Sequence, residues 1–282
     1  MKSEHGTPQP SRSAICSLRR TSKLSRAYRP NNHMETQTGQ TLDRQPTPVG
    51  VGSGDWLGVL PKPYYADEWV TLYHGDSRRI LPQLGTEWVD SIVCDPPYGI
   101  DLQPQRGKTK AIANDTRREA KALWWAMLPL LHAAAKPNTS HFVFGVWSEA
   151  WCAEVLREWF TVKGCIVWKK NQFGIGYYLR PQWELAWYLH KGEPPVPEKA
   201  SSDVWECARE QAPEHSCQKP VELMQRAIQY TGAKVILDPF AGSGSTLLAA
   251  KNLGLRAVGI ECELEYCELI KRRLAQEVLP LG

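Results

Sequence analysis

The chain has 282 residues, 42% hydrophobic and 23% charged, with 34 Lys and Arg against 30 Asp and Glu for a formal charge of +4. That length suffices for one large domain or two small ones with a buried core, and the mild charge permits a nucleic-acid partner without demonstrating one. No apolar run approaches the roughly 20 residues that cross a bilayer, and Met1-Lys2-Ser3-Glu4-His5-Gly6 lacks the apolar centre of a secretory signal.

Residues 1–60 are rich in Ser, Thr, Pro, Gln, Gly and Arg and lack apolar periodicity. Such a stretch cannot offset its ordering entropy by burial, so it is expected to be a disordered basic tail and linker ahead of a folded domain over 61–282. Arg12, Arg19, Arg20, Lys23, Arg26 and Arg29 would suit an arm on phosphates, a solvated tail, or sequence upstream of a true start at Met34.

Order is expected from near Trp69. Val70–Tyr73 reads as a strand, Ser77–Leu84 as a short helix with Ile80, Leu81 and Leu84 on one face, and Asp90–Cys94 as a buried strand. Strand, helix and strand in so short a span make a βαβ unit with parallel pairing. Residues 101–118 read as a polar loop. Glu119–His132 reads as a helix with Trp124, Trp125, Leu128 and Leu131 inward. His141–Val146 is a strand, and Ser148–Phe160 a helix capped by Ser148. Cys165–Trp168 and Trp183–Tyr188 are further strands, 191–214 a Pro-rich loop, and Pro220–Tyr230 a helix with Pro in its first turn. The last part alternates strand Lys234–Leu237, loop Asp238–Ser245, helix Thr246–Leu253 stopped by Gly254, strand Ala257–Ile260 and helix Glu263–Gln276. None of the eight cysteines forms a CxxC pair, so a metal site is not expected and buried free thiols are.

Two motifs bear chemistry. Asp238-Pro239-Phe240-Ala241-Gly242-Ser243-Gly244-Ser245-Thr246 joins a strand to a helix, the place where α/β sheets bind ligands. It has no Lys after its last Gly, so it is not a P-loop, and Leu247 breaks the dinucleotide fingerprint. Glu261, at the end of the next strand, stands where an acid binds ribose hydroxyls. An acidic loop of this kind suits a nucleoside that bears a positive group and no phosphates, such as S-adenosylmethionine. The second motif, Asp95-Pro96-Pro97-Tyr98, follows a buried strand. Two prolines fix the carbonyl directions. A carboxylate and a fixed carbonyl accept two hydrogen bonds from an exocyclic NH₂, and Tyr98 offers a ring to a flat base.

These motifs, with His215-Ser216-Cys217-Gln218-Lys219-Pro220-Val221-Glu222-Leu223 between them, resemble the amino-methyltransferases of DNA. The catalytic motif preceding the cofactor motif is similar to the circularly permuted β group, over about residues 70–276. The resemblance implies a Rossmann-like α/β methyltransferase, mostly parallel with an antiparallel strand. It implies S-adenosylmethionine as cofactor, held by Asp76, Lys219 beside its tail, Asp238, Phe240, Gly242, Gly244, Ser245, Thr246 and Glu261. It makes Asp95, Pro96, Pro97 and Tyr98 catalytic, with the amine on Asp95 and the Pro96 carbonyl. The partner implied is double-stranded DNA with a flipped base, in the cytoplasm of a bacterium or a phage-infected one, with a homodimer left open. Arg106, Lys108, Lys110, Phe173, Tyr177 and Arg180 are the DNA-contact candidates, their alternative being solvated loops. Asp before Pro-Pro-Tyr resembles the adenine-N6 members more than the cytosine-N4 ones. RNA adenine and an inactive DNA-binding subunit are the other readings.

Overall fold

The computed structural model describes residues 61–100, 113, 115–174, 178–195, 201–210 and 218–276. The expected tail and linker, Arg106, Lys108, Lys110, Tyr177 and the segment His215–Cys217 lie outside them.

The described residues build one nine-stranded sheet. In chain order its elements are β1 Tyr65–Ala66, β2 Val70–His74, α1 Ser77–Ile80 continued by a 3-10 turn over Leu81–Leu84, β3 Ser91–Cys94, α2 Arg117–Ala134 and β4 Thr139–Gly145. A 3-10 turn over Trp147–Glu149 leads to α3 Trp151–Arg157, β5 Thr161–Lys169, β6 Trp183–Lys191 and β7 Val204–Glu206. The chain closes with α4 Val221–Thr231, β8 Val235–Asp238, α5 Ser245–Asn252, β9 Arg256–Glu261 and α6 Leu264–Ala275.

Strand order is β1-β2-β9-β8-β3-β4-β6-β5-β7. Pairs β2–β9, β9–β8, β8–β3, β3–β4 and β5–β7 are parallel, while β6 runs antiparallel to both β4 and β5, and β1 antiparallel to β2. This is an open α/β sheet, mostly parallel with β6 and the edge strand β1 reversed. From β3 the chain moves through α2 to β4 on one side; from β8 it moves through α5 to β9 on the other. The carboxyl ends of β3 and β8 therefore flank a topological switch point, where open α/β sheets bind ligands. Those ends carry Asp95 and Asp238.

The central strands are apolar on both faces because helices cover both. One buried cluster joins Ile92, Cys94 and Ile260 to Leu123, Trp124, Met127 and Leu128 of α2. The other joins Val93, Phe142 and Ile236 to Leu223, Ala227 and Ile228 of α4 and Leu247 of α5. His141 is buried, its Nδ1 accepting from the Ile92 amide at 3.1 Å, and burial holds its pKa down at about 3, so it ties β4 to β3 as a neutral ring.

Several expectations need correction. The strands β2 and β3 are parallel, yet they are not neighbours, since β9 and β8 lie between them. Trp125 is 52% exposed; successive helical residues point 100° apart, so Trp124 takes the inward stripe with Leu128 and Leu131 and its neighbour does not. Ser148 caps nothing: it lies inside the 3-10 turn, and α3 begins after Ala150. The Pro-rich stretch contains β7, whose Trp205 is fully buried and whose register aligns Trp168 with Trp205. Three residues are too few for periodicity to show. Order also begins before Trp69, with β1. The six described cysteines are free; Cys94, Cys152 and Cys267 are buried, but Cys262 is exposed.

Candidate active site

The loop after β3 is pinned to α2 and the residues just before it. The Trp124 indole Nε1 donates to the Pro97 carbonyl at 3.0 Å, and the Gly99 amide donates to Asp115 Oδ1 at 2.9 Å. Gly99 adopts φ +82°, and a Cβ there would lie 2.8 Å from Arg117 Cα, so only glycine lets the loop sit against the start of α2. With the Pro97 carbonyl engaged by Trp124, the neighbouring Pro96 carbonyl makes no hydrogen bond among the described residues. Asp95 is partly exposed and Tyr98 is buried, its hydroxyl donating to Asp95 Oδ1.

Lys219, just before α4, brings a buried ammonium to the same carboxylate. Its Nζ lies 2.5 Å from Asp95 Oδ2, 3.2 Å from the Tyr98 hydroxyl and 3.2 Å from Glu184 Oε2. It also stands 5.5 Å over the Tyr98 ring and 5.7 Å over that of Phe144. The resemblance implied a place beside the cofactor tail; in the structure the ammonium meets the Asp95 carboxylate of the other motif loop. Glu184, on β6, pairs through Oε1 with Lys170. Burial would raise its carboxyl, but Lys219 and Lys170 outweigh burial and hold it near about 2.

The loop after β8 lies at the neighbouring strand end. Asp238 is buried and its Oδ1 accepts from the Phe240 amide at 3.0 Å, closing the turn; burial pushes its carboxyl up to about 7. The Gly242 amide donates to Glu261 Oε2 at 2.7 Å, and the Glu263 amide to Glu261 Oε1 at 2.9 Å. Burial raises Glu261 above its ordinary value. Gly244 caps α5 at φ +80°. Ser245 and Thr246 are buried in the first turn of α5, Phe240 is half-buried, and Gly242 faces open space: a Cβ there would meet nothing nearer than the Phe240 carbonyl at 3.8 Å. Ser77 Oγ donates to the Pro239 carbonyl at 2.5 Å, and Arg273 Nη1 donates to the Ser243 carbonyl at 2.5 Å. Asp76 caps α1, accepting from the Arg78 amide at 2.9 Å and pairing with its guanidinium, which holds the Asp76 carboxyl below its usual range. The Gly75 amide donates to the Glu261 carbonyl at 2.8 Å, so Asp76 and Glu261 end adjacent strands side by side.

Of the DNA-contact candidates, Phe173 and Arg180 are described. Both are exposed in the β5–β6 connection, with the guanidinium 5.6 Å over the Phe173 ring and its Nε donating to the Gly174 carbonyl at 3.0 Å. Tyr178 and Leu179, 93% and 87% exposed, extend the same surface. The root of this connection is Lys170, whose amide donates to the Gln182 carbonyl at 2.8 Å and whose ammonium meets Glu184. The exposed aromatics thus rise from the strand end that reaches Lys219 and Asp95.

Sequence reasoning missed Glu184, Trp124 as a hydrogen-bond donor, Asp115, Ser77 and Arg273. Only Glu184 left a local signal, as the single acid of β6. The residues fit a nucleoside cofactor without phosphates: an open cradle at Gly242, two acids at Asp76 and Glu261 for hydroxyl or amine donors, and no cation among the side chains of the loop itself.

Comparison with known proteins agrees. A family model described as DNA methylase, N6_N4_Mtase, matches residues 89–272. YubD of Escherichia coli K12, named a methylase, is 32% identical over 71% of this chain and 88% of its own. The DNA adenine methyltransferase YhdJ of the same bacterium is 26% identical, over 74% of this chain and 84% of its own. The crystal structure of M1.HpyAVI with S-adenosylmethionine superposes with a TM-score of 0.58 at 26% identity, covering 73% of this chain and all of the other. With the two motif loops side by side at the switch point and the family match spanning both, this chain belongs to the S-adenosylmethionine-dependent N6/N4 DNA methyltransferases.

Proposed function

We propose that the protein transfers a methyl group to the exocyclic N6 of adenine in double-stranded DNA, on a base flipped out of the helix. The observation that carries this reading is Asp95 next to a Pro96 carbonyl that makes no hydrogen bond among the described residues, at the strand end beside the open glycine loop. YhdJ, named an adenine enzyme, supports the choice of base. The cofactor supplies an electrophilic methyl on a sulfonium; Gly242, Glu261 and Asp76 would hold it.

The rest of the chemistry belongs to this chain. An exocyclic amine is a weak nucleophile because its lone pair is delocalised into the ring. Donating one hydrogen to Asp95 and one to the Pro96 carbonyl draws the lone pair onto nitrogen. As nitrogen gains positive charge, the carboxylate stabilises it in a preorganised site, the kind of contact whose loss costs about 10²–10³ in rate. Asp95 can also accept the proton the product must shed. Tyr98 flanks the pocket, and Phe173 and Arg180 suit a ring stack and a phosphate contact at its rim.

Product analysis tests the base assignment. DNA methylated with labelled cofactor, digested to nucleosides and separated, should carry its label in N6-methyldeoxyadenosine. Label in N4-methyldeoxycytidine would replace the adenine reading with the cytosine one.

A further inference from the structure

The target amine needs Asp95, yet both oxygens of Asp95 are engaged: Oδ1 by the Tyr98 hydroxyl and Oδ2 by the Lys219 ammonium. A buried ammonium cannot simply be released, because it would lose its counter-charge in a site shielded from water. Glu184 stands opposite. Its buried Oε2 already pairs with Lys219 Nζ at 3.2 Å, a longer contact than the 2.5 Å to Asp95 Oδ2, while its other oxygen holds Lys170. A buried carboxylate oxygen held only by that longer contact has room to draw the ammonium closer. Lys170, Glu184, Lys219 and Asp95 form a row of alternating charge reaching from β6 to the catalytic loop.

We infer that Glu184 is a positioning residue that receives the Lys219 ammonium when the target amine takes Asp95. Lys219 holds the carboxylate while the pocket has no base, then shifts toward Glu184 Oε2 and leaves Asp95 Oδ2 to the amine. No bond is made or broken, and the charge in the row is unchanged. Lys170 stays on Oε1 throughout, keeping Glu184 charged and fixed. The inference rests on transfer at Asp95.

The two ideas fail differently in one experiment. Full-length protein, tritiated S-adenosylmethionine and genomic DNA from a methylase-deficient host give single-turnover rates. Glu184→Gln keeps the shape but removes the charge, leaving Asp95 as the only carboxylate within ion-pair distance of Lys219 among the described residues. The ammonium then competes with the amine, and the rate should fall at least about tenfold while the cofactor dissociation constant stays within about twofold. Glu184→Asp, which keeps the charge, should recover part of the loss. In a Lys219→Met background, or Lys219→Gln should that variant fold poorly, adding Glu184→Gln should change the rate by less than about twofold. Circular dichroism compares the folded fractions. A wild-type rate in Glu184→Gln, or an equal loss with and without Lys219, overturns the inference and leaves the reading of Asp95 intact. Normal transfer by Asp95→Ala overturns both.

Discussion

Gly242 and Gly244 flank Ser243, both at positive φ, and substitution by alanine should separate a ligand cradle from a structural corner. At Gly244, φ is +80° and a Cβ would lie 2.8 Å from Ile270 Cγ1 and 3.2 Å from Cγ2. Ile270 is fully buried, so it has nowhere to move. The left-handed backbone costs about 1–2 kcal/mol and the overpacking about 1–3, for roughly 2–5 kcal/mol together. At Gly242, φ is +51° and the Cβ has free space, so the backbone term of about 1–2 kcal/mol stands alone. In a domain of this size each kcal/mol shifts Tm by about 2–4 °C, so Gly244→Ala should melt lower than Gly242→Ala by several degrees. Cofactor affinity should behave otherwise in the variant that stays folded. The Gly242 methyl points into the cradle, and S-adenosylmethionine should bind at least about tenfold more weakly, or roughly 1.4 kcal/mol. Scanning calorimetry reads the first effect and isothermal titration the second. If Gly242→Ala binds the cofactor like wild type, the cradle lies elsewhere. If the two variants melt together, the Ile270 contact is not what holds the corner.

Trp124→Phe should keep the edge contact with Trp151, 5.6 Å between centroids, but leave the Pro97 carbonyl without its donor, at about 1–3 kcal/mol; single-turnover transfer should slow while cofactor titration is unchanged. Asp238 has its folded pKa raised by burial from 3.8 to about 7, so the folded state holds that proton more tightly than the unfolded chain. Its contribution to stability is full below its unfolded pKa and is lost as pH rises through its folded one, and Glu261 acts in the same sense. Urea unfolding at several pH values across that window should show a decline that Asp238→Asn flattens; an equally steep decline in the variant would contradict this. Arg273→Ala removes the donor to the Ser243 carbonyl and should weaken cofactor binding several-fold by titration, with α6 still helical by circular dichroism.

The parts legible in the sequence are those where local chemistry dictates the backbone. Asp238-Pro239 followed by two spaced glycines marks a strand-to-helix corner, and its glycines do take positive φ. Asp95-Pro96-Pro97 after an apolar run marks a strand end in the same way. What was not legible depends on contacts across the chain. Lys219 meets Asp95 from 124 positions away, and nothing near either residue announces it. Trp124 reads as one apolar residue of a helical stripe; its donor role exists only because the Pro97 carbonyl stands within reach of the ring. Arg273 reads as a basic residue in a last helical turn, where a cation is favoured for its own sake. The neighbouring of β3 with β8 is likewise a tertiary fact, and it is what brings two distant motifs to one crevice.

The central claim is that Asp95 lies at the point of methyl transfer. Single-turnover transfer of tritiated methyl to DNA, compared between wild type and Asp95→Ala at saturating S-adenosylmethionine, tests it most directly. The expected outcome is a fall of about 10²–10³ in the chemical rate, unchanged cofactor and DNA dissociation constants, and a smaller loss for Asp95→Asn. A rate for Asp95→Ala within a few-fold of wild type would contradict it.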